Sequence, residues 1–140
     1  MQGVVYDAGS LWAVDGLNQW LFKIDPASGA RTVVSGSSRA PKVGTGSAPI
    51  EAHWISLAGS TVYTSGGFAD ANVDLTAVDV ATGDRTAPPA WVGPATTANL
   101  GGWDETPNWP IPGSTILVVG IDEALVLVDV TTGNSNLLSY

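Results

Sequence analysis

The 140-residue chain has no cysteine, which excludes a disulfide framework and any thiolate metal site. Its one histidine, His53, leaves no second imidazole for a transition-metal centre, and a lone histidine in a strand reads as structural. Basic residues are equally scarce. Lys23, Arg31, Arg39, Lys42 and Arg85 stand against 13 acidic residues, for a net charge of -8. Five scattered cations make no phosphate-binding footprint, so no nucleic-acid partner is expected. The apolar runs, Thr115 to Gly120 and Ala124 to Val128 among them, are too short to cross a bilayer, and no membrane partner is expected. No stretch carries a sustained helical period. The opening MQGVVYDAGS lacks the basic and apolar regions of a signal peptide. The expectations are then a cytosolic, an already processed or an excised chain, with a secreted or periplasmic place preferred.

What is abundant is glycine (17) and proline (9), while charged residues reach 13%. Polarity carried by hydroxyls, amides and turns has an all-β flavour. The segment IDPASGART at Ile24 to Thr32 returns as VDVATGDRT at Val78 to Thr86 and as VDVTTGNSN at Val128 to Asn136. Its aspartates, Asp25, Asp79 and Asp129, therefore recur at intervals of roughly 50 residues, a period typical of repeat architectures. Each unit also holds a Gly-Ser pair (Gly9-Ser10, Gly59-Ser60, Gly113-Ser114), with an aromatic upstream of it (Tyr6, Trp54, Trp109). Short alternating or apolar runs bounded by turn residues read as strands, four to a unit. In the repeated turn the aspartate accepts a hydrogen bond from the backbone two residues on, and the glycine takes a left-handed conformation that returns the chain antiparallel.

Four strands in such a unit fit a β-propeller blade. The stretches LWAVDG…LFKIDPASGARTVVSG and LTAVDVATGDRT resemble the blades of NHL/YWTD-type and gluconolactonase-like six-bladed propellers. The expected fold is all-β: three four-stranded antiparallel β-propeller blades at approximately 4–36, 52–90 and 106–140, in a single domain. Propellers close with four or more blades, so three make half a ring. Either a homodimer or a missing half of a longer chain would complete it.

Non-repeating sequence falls at 35–51, 66–74 and 88–108, in the connections expected on the face opposite the repeated turns. Gly44-Thr45-Gly46 there reads as a flexible loop. Trp91, Trp103, Asp104, Glu105 and Asn108, with Phe68, form the candidate ligand-binding set, since aromatic faces stack on sugars while carboxylates and amides bond hydroxyls. Trp109, matched to Trp54 and Tyr6, reads instead as a blade-packing residue. Asp70, Asn72 and Asp74 open a calcium-loop pattern, but Leu75 and Ala81 stand where that loop needs glycine and a bidentate glutamate.

The adjacent pairs Asp104-Glu105 and Asp122-Glu123 point to opposite faces of any strand, and no Gly-x-Ser-x-Gly elbow exists. No catalytic residue is assigned. The expected function is a non-catalytic binding or assembly module that presents its loop face to a protein or glycan, with no cofactor beyond the calcium candidate. The resemblance to gluconolactonases implies the alternative, a divalent-metal-dependent lactonase or hydrolase with Glu, Asn and Asp ligands.

Overall fold

The computed structural model describes residues 3–36, 39–46, 50, 54–66, 74–89, 108–111, 114–121 and 124–139. Among them there is no helix, and none is long and apolar enough to cross a membrane. Among the described residues, twelve strands form three antiparallel sheets of four, each a meander in chain order. The first comprises β1 (Gly3–Asp7), β2 (Ser10–Asp15), β3 (Trp20–Ile24) and β4 (Arg31–Gly36). The second comprises β5 (Trp54–Ala58), β6 (Thr61–Gly66), β7 (Asp74–Asp79) and β8 (Arg85–Thr86). The third comprises β9 (Asn108–Pro110), β10 (Ile116–Ile121), β11 (Ala124–Asp129) and β12 (Ser135–Ser139). The opening strands lie side by side, β1 against β5 and β5 against β9.

The three aspartate turns superimpose in their hydrogen bonding. The N–H of Asp25, Asp79 and Asp129 donates to the carbonyl of Ala30, Asp84 and Asn134 at 2.9, 3.0 and 2.9 Å. Each Oδ1 accepts from the backbone two residues on, at Ala27, Ala81 and Thr131 (2.8, 2.8 and 2.9 Å). Gly29, Gly83 and Gly133 follow with φ of 71°, 77° and 75°, a region closed to most side chains. The residue after the aspartate differs in one respect. The N–H of Val80 and of Val130 donates to the carbonyl of Ser60 and of Thr115 (3.0 and 2.9 Å), whereas Pro26 has no N–H to give.

Counting from these turns puts the sheets in register. Leu11 pairs with Ile24, Val62 with Val78, and Leu117 with Val128, so these three rungs are equivalent. The same count aligns Trp12, Tyr63 and Val118, and also Leu21, Leu75 and Leu125. The upstream aromatics do not align: Tyr6 pairs with Leu11, Trp54 with Ser65 and Trp109 with Val118, three different rungs. Their spacing to the Gly-Ser pair varies between units, so the expected equivalence of Trp109 with Trp54 and Tyr6 does not hold.

Successive residues of a strand face opposite sides, which gives each sheet an upstream face toward the preceding sheet and a downstream face toward the next. Trp12, Val14 and Leu21 on the downstream face of the first sheet pack with Ile50, Val62 and Val78. Leu75 and Tyr63 on the downstream face of the second sheet pack with Leu117, Val119, Val126 and Val128. The core is thus two seams, and the second sheet is covered on both sides.

The first seam holds one polar misfit. Thr64 is fully buried, opposite Thr76 on the upstream face, and its Oγ1 has no hydrogen-bond partner among the described residues. The third sheet has Val119 at that rung. Thr64→Val keeps the shape and removes an unsatisfied hydroxyl, so it is expected to raise unfolding stability by about 1 kcal/mol in urea titration. A loss of stability would show that the hydroxyl is bonded in solution.

Candidate functional site

Most of the residues singled out from the sequence lie outside the described residues: Phe68, Asp70, Asn72, Trp91, Trp103, Asp104 and Glu105. His53, Glu51 and Glu123 do as well. Asn108 opens β9, paired with Val119, and Asp74 opens β7, paired with Gly66. They belong to different sheets. Among the described residues no three His, Cys, Asp or Glu side chains gather as a metal site. Asp15 is a turn former, its Oδ1 accepting from the N–H of Leu17 (3.1 Å) and its Oδ2 from the Asn18 amide (2.8 Å). The Asn18 hydrogen bond holds its carboxyl below the usual range.

The most elaborate polar cluster lies where the chain leaves the first sheet and docks on the second. Arg85 is buried in β8, and its Nη1 donates to Ser35 Oγ (2.8 Å) and to the carbonyls of Val43 (3.0 Å) and Gly36 (3.4 Å). Its Nη2 donates to the Gly46 carbonyl at 2.9 Å, and its backbone N–H to the Thr45 carbonyl at 2.8 Å. Ser35 Oγ in turn donates to the Gly83 carbonyl (2.6 Å). Thr45 closes the cluster, its N–H and Oγ1 both donating to Asp84 Oδ1 at 2.7 Å. These bonds, the Thr45 hydroxyl foremost, hold the Asp84 carboxyl below its ordinary value.

A guanidinium suits this place because its planar fork can meet several carbonyl dipoles at once, offsetting the desolvation of its charge. Glycine lets the backbones meet. A Cβ on Gly44 would strike the Gly83 carbonyl, one on Gly46 the Arg85 carbonyl, and one on Gly83 the Val34 carbonyl. The expected flexible loop at Gly44-Thr45-Gly46 is therefore a docked segment. It reaches the aspartate turn of the second sheet, on the side opposite the one assigned to it from sequence. Its reason is a contact spanning about 40 residues, which only the folded chain reveals. The one local sign was the density of glycine.

Between the second and third sheets the same level is open. A cleft of about 390 Å³ is lined by Tyr63, Asp79, Asp84, Thr86, Pro88 and Val130, among others. Ala77 lies on its floor beside Tyr63. At the equivalent rung of the first sheet, Lys23 lies over the ring of Trp12, 5.5 Å from its centre. Among the described residues, a long side chain thus covers one seam where the other has only a methyl group at that position. Burial raises the Tyr63 phenol above its usual value, so it is a neutral donor at physiological pH. Asp79 Oδ1 is taken by the N–H groups of Ala81 and Thr82. The described lining therefore offers a phenol, hydroxyls and prolines, with its carboxylates engaged in the fold.

Arg85→Met is expected to cost about 3 kcal/mol or more, because several buried acceptors lose their donor. Arg85→Lys should recover only part, since an ammonium cannot span the same carbonyls. Urea unfolding measures both, and a loss under about 1 kcal/mol for Arg85→Met would remove the clamp from the account. The turn carboxylates carry a pH dependence. The Thr131 hydroxyl, with its N–H, lowers Asp129 from 3.8 to about 2. A depressed carboxyl adds stability that is complete above its unfolded value and is lost as pH falls toward the folded one. Carboxyl NMR should place the Asp129 midpoint near 2, and Asp129→Asn should reduce the acid sensitivity of unfolding between pH 4 and 2.

No protein-family model matches the chain, and no curated protein matches it. Among solved structures, that of the major Malassezia sympodialis allergen Mala s 1 is similar, at 14% sequence identity and a TM-score of 0.49. The match covers 94% of this chain, which spans 39% of the length of that one.

Proposed function

We propose that the three sheets are consecutive blades of a β-propeller and that the chain is a non-catalytic binding or assembly module, offering its loop face to a protein or glycan. The observation behind this reading is the recurrence of one seam. At each internal junction the same downstream rungs meet the same upstream rungs, Leu21 and Leu75 on one side and Val62 and Leu117 on the other. First strands lie against first strands, as around a central axis.

Five of the described carboxylates favour a scaffold over a reaction centre. Asp15, Asp25, Asp79, Asp84 and Asp129 each accept hydrogen bonds from neighbouring backbone or hydroxyl groups. They hold turns and the clamp together. The aromatic and acidic candidates fall in the sequence within 67–73 and 90–107, outside the described residues, and this reading assigns them to the face opposite the aspartate turns.

A metal-dependent hydrolase makes the opposite prediction on chelation. An ion present at about 100 times its Kd would stabilise the fold by about 2.7 kcal/mol, several degrees in Tm. Thermal unfolding is expected to be the same in EDTA and in calcium, and tryptophan fluorescence is expected to respond to neutral oligosaccharides or to a protein partner. A clear fall in Tm with EDTA would reject the non-catalytic reading in favour of the metal-dependent one.

A further inference from the structure

The cleft between the second and third sheets lacks a component that its counterpart in the first seam has. On the downstream face of the first sheet Trp12 and Lys23 share a rung, and the lysine ammonium lies over the indole. The same rung of the second sheet holds Tyr63 and Ala77, so the aromatic ring is kept and the cation is gone. At the turn the change has the opposite sign, because Asp84 stands where the first sheet has Ala30 and the third Asn134. Relative to the first sheet, the second has lost a positive charge at this level and gained a negative one.

The surroundings do not make up the difference. The described lining includes Asp79 and Asp84, and neither lysine, arginine nor histidine. Both aspartates are held through Oδ1, one by the N–H groups of Ala81 and Thr82 and the other by Thr45. Each therefore keeps its charge, with Oδ2 outside those bonds. Arg85 precedes Thr86 in the same strand but serves the opposite face, where its guanidinium is engaged in the clamp. It is the last cation of the sequence, since no Lys or Arg occurs in residues 86–140. Ala77, Pro88 and Val130 supply the apolar part of the lining. Such a wall suits the methylene stem of a long side chain, which lies along apolar surface while its charged end stays polar.

From this we propose that the cleft binds the side chain of a lysine presented by another polypeptide. The ammonium lies over the Tyr63 ring as that of Lys23 lies over Trp12, with Asp79 and Asp84 as its counter-charges. Charge decides between this and other ligands of similar size. An anion would be repelled by the two carboxylates, and a neutral sugar would leave them without a counter-charge. A divalent ion asks for more oxygen ligands than two aspartates, and no third acidic or histidine side chain joins them among the described residues. The net charge of -8 adds a long-range attraction for a cationic partner. The site lies at the aspartate-turn level, apart from the loop face of the proposed function.

Titration of the isotopically labelled chain with Nα-acetyl-lysine amide, followed by two-dimensional NMR, tests the assignment. Resonances of Tyr63, Ala77 and Thr86 should shift together and saturate with a Kd of about 1–10 mM, the scale of one side chain without its polypeptide. Nα-acetyl-norleucine amide, which keeps an apolar stem but has no ammonium, should bind at least about tenfold more weakly. Ala77→Lys and Thr86→Lys each bring an ammonium of the chain's own to the cleft, and each should weaken the lysine probe by about tenfold or more. Thr86 is exposed, so its variant remains a test even where Ala77→Lys disturbs the fold.

Equal affinity for the norleucine probe would overturn the ammonium as the recognised group. Shifts spread over the exposed carboxylates without saturation would show only the general attraction of a cation to an acidic chain, and would overturn the site. Unmoved resonances of Tyr63 and Ala77 would overturn it as well. None of these outcomes bears on the loop-face reading, which is tested by the fluorescence response to oligosaccharides or a protein partner.

Discussion

The hydrogen bond from a backbone N–H to an aspartate two residues earlier sets the frame of the whole molecule. Together with the left-handed glycine, it fixes where the third strand of each sheet ends and the fourth begins. The side-chain period of a strand is two, so a slip of one residue would exchange the two faces. In this chain such a slip would turn Val62 and Val78 out of one seam and Tyr63 and Leu75 out of the other. The turn residues are mostly small, and those of the first sheet are exposed. Their effect is felt in the core because they decide which residues reach it.

Stacking then imposes its own requirement. A sheet that is covered on both sides needs apolar side chains on both faces, and the second sheet meets this with Val62 and Val78 on one and Tyr63 and Leu75 on the other. Away from the apolar centre, the two seams differ. The first is closed by Arg85, Ser35 and three glycines, which let backbone meet backbone. The second is more open, with a cleft above Ala77. Among the described residues, similar strands thus give two unlike junctions, through one arginine at a repeat position and a docked segment, 43–46, that lies outside the repeat.

How much could be read from the chain depended on the distance over which each feature acts. The aspartate turns were legible because carboxylate, acceptor and glycine lie within a few residues, and three copies share the pattern. Four strands per unit were legible from alternation and punctuation. The clamp was not, since Arg85 sits in a repeat position whose first copy, Arg31, is exposed and whose third is Ser135. Nothing local marks the middle one as buried. The aromatics misled for a related reason: proximity to a Gly-Ser pair resembles equivalence until pairing shows Tyr6, Trp54 and Trp109 on separate rungs. Of the candidate site, only the strand positions of Asn108 and Asp74 can be compared with the structure, and these put the two on separate sheets.

Pro26 deserves a last consideration because it interrupts an otherwise threefold pattern. In the second and third sheets a valine N–H ties the aspartate turn to the residue ahead of the second strand, as a stitch ties a hem. The first sheet omits that stitch, while the proline ring limits the conformations of the unfolded turn. One turn is thus stiffened from within, and the other two are tethered from without. The same outline is reached by restricting entropy in one case and by adding a bond in the others, so identical geometry along the stack conceals unequal resistance to local opening.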